Sequence, residues 1–191
     1  MNNSIELKNL SKTFFDKKNI NVLKKVNFKF QLGKIYSIMG PSGSGKSTLL
    51  NLISLIDKPT SGSIKFLNKT IDFNNNENND IFRANNIGII YQQDNLLTDF
   101  TALENVYLAC LASGLDKNLS NHKARNILKQ VGLANRIDHY PNELSGGEKQ
   151  RVSISRALVN EPNIILADEP TGSLDKKNAD EIFDLLKKQI T

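Results

Sequence analysis

The segment that most constrains the fold of this chain is Gly40-Pro41-Ser42-Gly43-Ser44-Gly45-Lys46-Ser47-Thr48. It follows the apolar run 35–39 and precedes the helix-like run 49–56. The pattern G-x-x-x-x-G-K-[ST] between a strand and a helix is typical of a phosphate-binding P-loop, in which glycines let backbone N–H groups approach an anion. It predicts a strand, a phosphate site and a helix, with Lys46 reaching the phosphates and Ser47 ligating Mg²⁺. A plain strand-to-helix turn is the alternative.

The composition indicates a single large domain in a reducing environment. A chain of 191 residues can bury a sizeable core and carry a small subdomain. Its one cysteine, Cys110, excludes an internal disulfide. No apolar run is long enough to span a membrane, and the N-terminus lacks the basic and apolar regions of a signal peptide. We therefore expect a cytoplasmic location. The net charge of +5 comes from scattered lysines without a nucleic-acid motif, so nucleic acid is not an expected partner.

Apolar patterning predicts an α/β fold. The segments 5–10 and 22–32 alternate apolar and polar residues and predict an antiparallel β layer at the N-terminus. The Asn-rich segment 73–80 predicts a surface loop without chemistry. Further predicted elements are strands over 63–67, 87–91 and 164–167 and helices over 101–111, 121–132, 145–160 and 175–190. We expect a P-loop core with a mainly parallel sheet, the antiparallel layer and an inserted helical subdomain.

Two later stretches carry groups suited to phosphate chemistry. Ser145-Gly146-Gly147-Glu148 has the S-x-x-E capping box, and the N–H groups of such a glycine-rich helix start suit an anion. Asp168 and Glu169 follow an apolar run, at the strand end where open α/β sheets bind ligands. Taken alone, each has a simpler interpretation, an ordinary capped helix or a solvated strand end.

Four stretches accompany the P-loop in the order and spacing of ABC-type ATPases, which the chain resembles over nearly its whole length. They are Tyr91-Gln92-Gln93 (Q-loop), Leu144-Ser145-Gly146-Gly147-Glu148 (signature), Ile164-Ile165-Leu166-Ala167-Asp168-Glu169 (Walker B) and Ser173-Leu174-Asp175 (D-loop). The resemblance implies one ATPase domain over 1–191. It would comprise a β layer and P-loop core in 1–92, a helical subdomain in 93–160, and the Walker B strand, D-loop and last helix in 161–191.

The resemblance also implies ATP and Mg²⁺ as ligands and a role for each matching residue. Lys46 and the other P-loop residues hold the phosphates, while Ser47, Asp168 and Gln92 organise Mg²⁺. Glu169 polarises the attacking water. The signature residues 145–148 and Asp175 would act across a homodimer that sandwiches two nucleotides.

The resemblance further places an aromatic residue on adenine. Phe14 stands where this family stacks an aromatic side chain, usually tyrosine, on the base. Packing of Phe14 in the core is the alternative interpretation, and Phe15 is an alternative stacking residue.

The finer resemblance is to the ATP-binding subunits of lipoprotein-release (LolD) and macrolide-export transporters. It rests on 40–50, 57–62, 91–106 and 142–152, with Thr98 departing from the proline frequent in that type. It implies transmembrane permease partners and a peripheral location on the inner face of the cell membrane. An ATPase of the FtsE type, coupled to cell division, is the alternative. A P-loop nucleotide kinase would explain neither the signature nor Asp168-Glu169.

The end of the chain departs from the family pattern. In the family a further strand carries a switch histidine that contacts the γ-phosphate, whereas this sequence ends at Thr191. His122 and His139 lie elsewhere, one in the helical insert and one before the signature. The resemblance therefore predicts a truncated product that lacks the C-terminal strand, binds ATP and hydrolyses it poorly.

Overall fold

A computed structural model describes residues 3–15, 18–67, 69–171 and 176–187. The strands within these ranges are β1 (Asn3–Phe15), β2 (Asn19–Gln31), β3 (Ser61–Phe66), β4 (Lys69–Thr70), β5 (Ile87–Ile90) and β6 (Ile164–Ala167). The helices are α1 (Lys46–Ile53), α2 (Asn76–Asn86), α3 (Ala102–Ala112), α4 (Lys117–Gln130), α5 (Gly146–Leu158) and α6 (Lys176–Lys187), with a 3-10 turn at Pro141–Glu143. These elements belong to two compact units that divide after Asn79.

The first unit is built on a four-stranded antiparallel sheet in the order β2-β1-β3-β4. The central strand β1 pairs with both neighbours, so that Leu7 lies opposite Phe28 on β2 and Ile64 on β3. Leu7, Ile64 and Phe66 are buried, which gives this sheet one apolar face. The β layer predicted from alternating residues is therefore confirmed, and both strands begin earlier than predicted.

The strand expected over 35–39 is not formed, which corrects the prediction from the apolar run. Residues 34–40 form no strand, and Met39 is 88% exposed. Apolar runs become strands when backbone pairing and burial act together, and the paired order of the first unit's sheet does not include this segment. Its packing is local: the Tyr36 ring lies 5.7 Å from Phe28 and 5.1 Å from Phe30, and the Tyr36 hydroxyl accepts the Gln31 N–H at 3.0 Å.

The Asn-rich segment is partly helical, so its prediction as a surface loop is wrong. Helix α2 begins at Asn76, inside that segment. The Asn75 side chain accepts the backbone N–H of Asn78 at 3.2 Å, and the Asn79 amide donates to the Asp72 carbonyl at 2.9 Å. Short polar side chains stabilise a helix start by satisfying backbone groups that have no intrahelical partner. The low complexity of this segment therefore gave no indication that Asn75 stabilises a helix start.

The second unit combines a parallel strand pair with a helical bundle. Strands β5 and β6 pair in parallel, from Ile87 opposite Ile164 to Ile90 opposite Ala167. One buried cluster joins α3, α4 and α5, and another joins β5, α5 and α6. The helical insert and the Walker B strand are thus confirmed, and α5 belongs to both clusters.

Gly88 lets α5 lie directly on β5. A Cβ atom at this position would stand 2.4 Å from the Ala157 carbonyl oxygen, closer than two such atoms can approach. The missing side chain therefore permits close backbone contact between the helix and the strand.

The helices of the insert begin at sequence-encoded caps. Thr101 and Ser145 each form a capping box, with Glu104 and Glu148 respectively, and the Asp116 side chain caps α4. Such caps satisfy backbone N–H groups at a helix start, so they fix where each helix begins. None of the helices in the described ranges has the length and apolar character needed to cross a membrane.

Candidate active site

The P-loop forms a tight turn directly before α1. Gly43 has φ 77° and Gly45, the N-cap residue, has φ 93°, values that glycine adopts without a steric penalty. The Lys46 ammonium donates to the carbonyl oxygens of Gly40 at 2.9 Å and Pro41 at 3.0 Å. The Lys46 side chain thus folds back onto the backbone of its own loop. This loop stands at the N-terminus of α1, the end of a helix that carries partial positive charge. Such a turn fits a phosphate group.

Gly45 is also required for packing. A Cβ atom there would lie 2.9 Å from Val22 Cγ1 and 3.1 Å from Leu23 Cδ2, both on β2. Strand β2 therefore packs directly against the P-loop at Gly45. Gly43 has open space around its absent Cβ, so its constraint comes from backbone conformation alone.

In the second unit, two candidate catalytic side chains meet beyond the ends of the parallel strands. Gln92 follows β5 and Glu169 follows β6, with the backbone N–H of Asp168 extending the pairing to Ile90 O at 2.9 Å. The Gln92 amide nitrogen Nε2 donates to Glu169 Oε2 at 3.0 Å. Glu169 has φ 47°, an uncommon conformation for a residue with a side chain. This edge therefore presents an amide and a carboxylate in direct contact.

The oxygen groups predicted to organise Mg²⁺ suit that ion chemically. Mg²⁺ prefers oxygen ligands, and it is commonly bound by one or two carboxylates together with phosphates and retained waters. The hydroxyl of Ser47, the carboxylate of Asp168 and the amide oxygen of Gln92 match that preference. Within the described ranges no group of three or more His, Cys, Asp or Glu residues could form a metal cage on its own. Ser47 belongs to the first unit and Gln92 and Asp168 to the second, so their grouping around one ion stays a prediction.

The signature segment begins α5 through a complete capping box. The Glu148 N–H donates to Ser145 Oγ at 3.3 Å, and Glu148 Oε2 accepts the Ser145 N–H at 2.8 Å. The hydrogen bonds that the Ser145 N–H and the Ser145 hydroxyl donate to this carboxylate, together with Arg136 at 2.9 Å, hold the pKa of Glu148 below its usual range. The Glu148 carboxylate is therefore engaged in the helix cap. An added Cβ at Gly146 would meet no atom within 4 Å.

The aromatic candidates for adenine stacking lie on the exposed end of β1. Phe14 is 43% exposed and Phe15 is 72% exposed. The Lys12 ammonium stands 5.0 Å from the centroid of the Phe14 ring. The exposure of Phe14 disfavours its alternative interpretation as a core residue, and the choice between Phe14 and Phe15 stays open.

The remaining sequence candidates are placed as follows. The D-loop, including Asp175, lies outside the described residues. His122 contacts Asn126 at 2.9 Å, and His139 contacts Arg136 at 3.2 Å. Both histidines interact with exposed neighbours near their own positions in the chain.

Two side chains for which the sequence predicts no individual role approach the Gln92 and Glu169 segments. Gln150 donates to the Pro170 carbonyl at 2.9 Å, and Arg156 donates to the carbonyls of Asp94 and Asn95, each at 2.8 Å. Both lie on α5. A single glutamine or arginine on a helix carries no local signal, and these contacts join residues 20 to 62 positions apart.

The ABC transporter family model matches residues 23–172. This match covers most of the chain and includes the P-loop, Gln92, the signature and Asp168-Glu169. The chain belongs to the ABC transporter family. Members of this family are ATPases, so the resemblance inferred from the five motifs is confirmed.

The curated relatives of this ABC chain include LolD proteins. The lipoprotein-releasing system ATP-binding protein LolD of Saccharophagus degradans is 47% identical over 169 residues, which is 88% of this chain and 74% of the relative. The LolD of Buchnera aphidicola subsp. Schizaphis graminum is 49% identical over 191 residues, covering 97% of this chain and 82% of the relative. Similarity to LolD proteins thus extends along almost the whole sequence of this chain.

A solved ABC cassette has the same fold. A dimeric ATP-binding cassette in a post-hydrolysis state, bound to ADP and Pi, is 42% identical to this chain with a TM-score of 0.87. The match covers 97% of this chain and 82% of that one. The P-loop α/β fold class is therefore confirmed.

Proposed function

We propose that this chain is the ATP-hydrolysing subunit of a lipoprotein-releasing ABC transporter. The observation that carries the catalytic part is the 3.0 Å hydrogen bond between Gln92 and Glu169 at the ends of adjacent parallel strands. It supports a site in which a carboxylate is oriented by a neighbouring amide before it acts on water. The similarity to LolD proteins supports the transport system.

The proposed chemistry is transfer of the γ-phosphoryl group of ATP to water. The water oxygen forms a bond to the γ-phosphorus, the bond to the leaving ADP oxygen breaks, and the Glu169 carboxylate accepts a proton from the water. Phosphoryl transfer depends mainly on positioning and charge neutralisation. Lys46 and the P-loop N–H groups would bind the phosphates, and Phe14 or Phe15 would stack on the adenine. Bound Mg²⁺, held through Ser47, Asp168 and Gln92, would supply further charge neutralisation.

The signature supports a homodimer as the working state. In the first turn of α5, backbone N–H groups have no intrahelical acceptor, and the capping box satisfies only part of them. Gly146 adds no side chain over this surface. We infer that this helix start binds the γ-phosphate held by a second copy, with Asp175 at the same interface. ATP would then favour the closed dimer because it contacts both copies.

The permease subunits are the proposed membrane partner, and a groove in the second unit offers them a contact surface. This groove has a volume of about 510 Å³ and is bordered by α2, α3 and α5, by Tyr91 of the Q-loop and by Asn95 after it. A permease segment bound in this groove would contact the backbone segment that contains Gln92. We infer peripheral attachment to the inner face of the membrane through this contact.

Hydrolysis is tested by comparing ATPase rates of the wild-type chain and Glu169→Gln. The substitution keeps the shape of the side chain and removes the carboxylate, so turnover should fall about 100-fold or more. Binding of a fluorescent ATP analogue should be retained. Equal turnover by both proteins would overturn the proposed role of Glu169.

The transport assignment is tested by co-expression with the permease subunits of a lipoprotein-releasing system. The wild-type chain should co-purify with them and drive ATP-dependent lipoprotein release from proteoliposomes. Ala112→Arg, at the groove, should abolish co-purification, whereas the matched exposed variant Ala134→Arg should not. Co-purification only with cell-division membrane proteins would favour the FtsE-type alternative.

A further inference from the structure

Helix α5 contacts both of the chain segments that carry the candidate catalytic pair. Gln150 lies in its first half, is 2% exposed and donates through Nε2 to the Pro170 carbonyl at 2.9 Å. Pro170 directly follows Glu169. The helix that starts with the signature thus fixes the chain immediately after the candidate water-polarising carboxylate.

The second contact of α5 reaches the segment after Gln92. Arg156 Nη1 donates to the Asn95 carbonyl and Nη2 to the Asp94 carbonyl, both at 2.8 Å. The planar guanidinium group makes two such bonds in one fixed geometry, which a lysine ammonium cannot reproduce. Burial lowers the pKa of Arg156, although the guanidinium still carries its charge at neutral pH.

Both segments contain a residue with a left-handed backbone conformation. Asn95 and Glu169 each have φ 47°. Asparagine adopts this conformation at little cost, whereas glutamate persists in it when surrounding contacts fix it. Arg156 bonds the carbonyl of Asn95 itself, and Gln150 bonds the carbonyl of the residue next to Glu169.

We propose that Gln150 and Arg156 are positioning residues that hold the Glu169 and Gln92 segments so that these two side chains stay in hydrogen-bond contact. The proposal rests on the proposed ATPase function. It assigns to α5 a role within its own subunit, in addition to the role of its first turn toward a second copy. Neither residue touches the substrate in this assignment, because each acts through backbone carbonyls.

The first test measures kcat and the KM for ATP in the full chain. Arg156→Lys keeps the charge but loses the two-pronged contact, and Gln150→Met keeps the size but loses the donor. Each should lower kcat about tenfold or more through misplacement of the catalytic groups, with KM changed less than twofold. Arg125→Lys and Gln130→Ala, on the exposed surface of α4, are the matched controls and should match wild type. A rise in KM without a fall in kcat would overturn the proposal.

The second test is a double-mutant cycle with Gln92→Ala. If Arg156 acts through the Gln92 contact, Arg156→Lys should lower kcat less than twofold once Gln92 is already alanine. The same should hold for Gln150→Met. Equal losses in both backgrounds would mean that the two residues affect turnover by general destabilisation, and the positioning role would be wrong.

The third test does not depend on turnover. Hydrogen–deuterium exchange should rise in peptides covering 92–96 for Arg156→Lys and 168–171 for Gln150→Met, while α3 and α4 keep wild-type protection. If the wild-type chain hydrolyses no ATP, the proposed function fails, and this measurement alone decides the positioning role. Unchanged exchange in both peptides would overturn it.

Discussion

The amide Nε2 of Gln92 lies 3.0 Å from the carboxylate Oε2 of Glu169, although the two residues are 77 positions apart in the chain. The parallel pairing of β5 and β6 brings them together, because both residues follow the same edge of the sheet. Their contact favours Gln92 over Gln93 as the Q-loop glutamine that acts with Glu169.

Gln92→Ala should slow hydrolysis while leaving nucleotide affinity nearly unchanged. Loss of the amide leaves Glu169 without this donor, and we expect kcat to fall about 10- to 100-fold, the range typical for loss of an orienting group. Steady-state ATPase assays with a parallel binding titration measure both quantities. Gln93→Ala is the control, since Gln93 is exposed. A larger effect at Gln93 would reverse the choice between the two glutamines.

Gly45→Ala should disrupt the P-loop more than Gly43→Ala. The new methyl group at 45 would lie 2.9 Å from Val22 Cγ1 and would also occupy a residue with φ 93°. Gly43 has φ 77° but open space, so only backbone strain of about 1–2 kcal/mol is expected there. Urea unfolding and ATP-analogue binding should rank the proteins as wild type, Gly43→Ala, Gly45→Ala. Equal behaviour of the two variants would show that β2 does not support the loop.

The capping box of α3 should make stability depend on pH. The Thr101 N–H and hydroxyl both donate to Glu104 at 2.8 Å, which lowers the pKa of Glu104 from its ordinary value of 4.5. A lowered carboxyl pKa stabilises the fold above pH 4.5, and this contribution is lost as the pH falls through the folded-state value.

Glu104→Gln should therefore cost about 0.5–1 kcal/mol of unfolding free energy at pH 7, and this cost should shrink as the pH falls below 4.5 through the lowered pKa of Glu104. Denaturant unfolding at a series of pH values from 7 downward measures the difference. Asp99→Asn, an exposed acid near the same helix start, serves as the control. A cost at Glu104 that stays constant with pH would contradict a charge-dependent cap.

Asn105→Ala should destabilise the second unit by about 1–3 kcal/mol, because it removes a buried amide that hydrogen-bonds the backbone around the start of α3. Asn105 is 1% exposed, its Oδ1 accepts the Leu97 N–H, and its Nδ2 donates to the carbonyls of Leu97, Phe100 and Thr101. Thermal unfolding compares it with Asn126→Ala, an exposed asparagine on α4. A loss no larger than that of the control would show that these bonds are replaced by water.

Sequence patterns predicted the elements that depend on interactions between residues close in the chain. The helices of the insert and strand β6 were found within a few residues, because apolar spacing and caps at Thr101 and Ser145 act over short distances. The strand expected over 35–39 failed because strand formation depends on a pairing partner, which composition does not reveal. The Asn-rich helix start was missed because polarity was interpreted as a loop signal, whereas the Asn75 side chain accepts a backbone N–H of the first helical turn.

In the candidate site, too, the sequence predicted some residues and not others. Motif spacing predicted Gln92 and Glu169 as site residues, since their residue types follow recognisable strands. It did not identify Gln150 or Arg156, because a side chain that supports a backbone carbonyl can be of several types and leaves no spacing pattern. Asn105 lies in the stretch 99–106 that carried the finer resemblance, yet its four hydrogen bonds became evident only from the fold.

The parallel pairing of β5 with β6 also has a consequence for how the protein folds. Everything from α3 to α5 lies between these two strands, so their pairing must close a long loop, with an entropy cost that local helices do not meet. Contacts within and between neighbouring helices form faster than such distant pairings. We therefore expect the helical insert to become structured first and the Gln92–Glu169 contact to be among the last to appear, so that a chain acquires its catalytic geometry only after most of its second unit has folded.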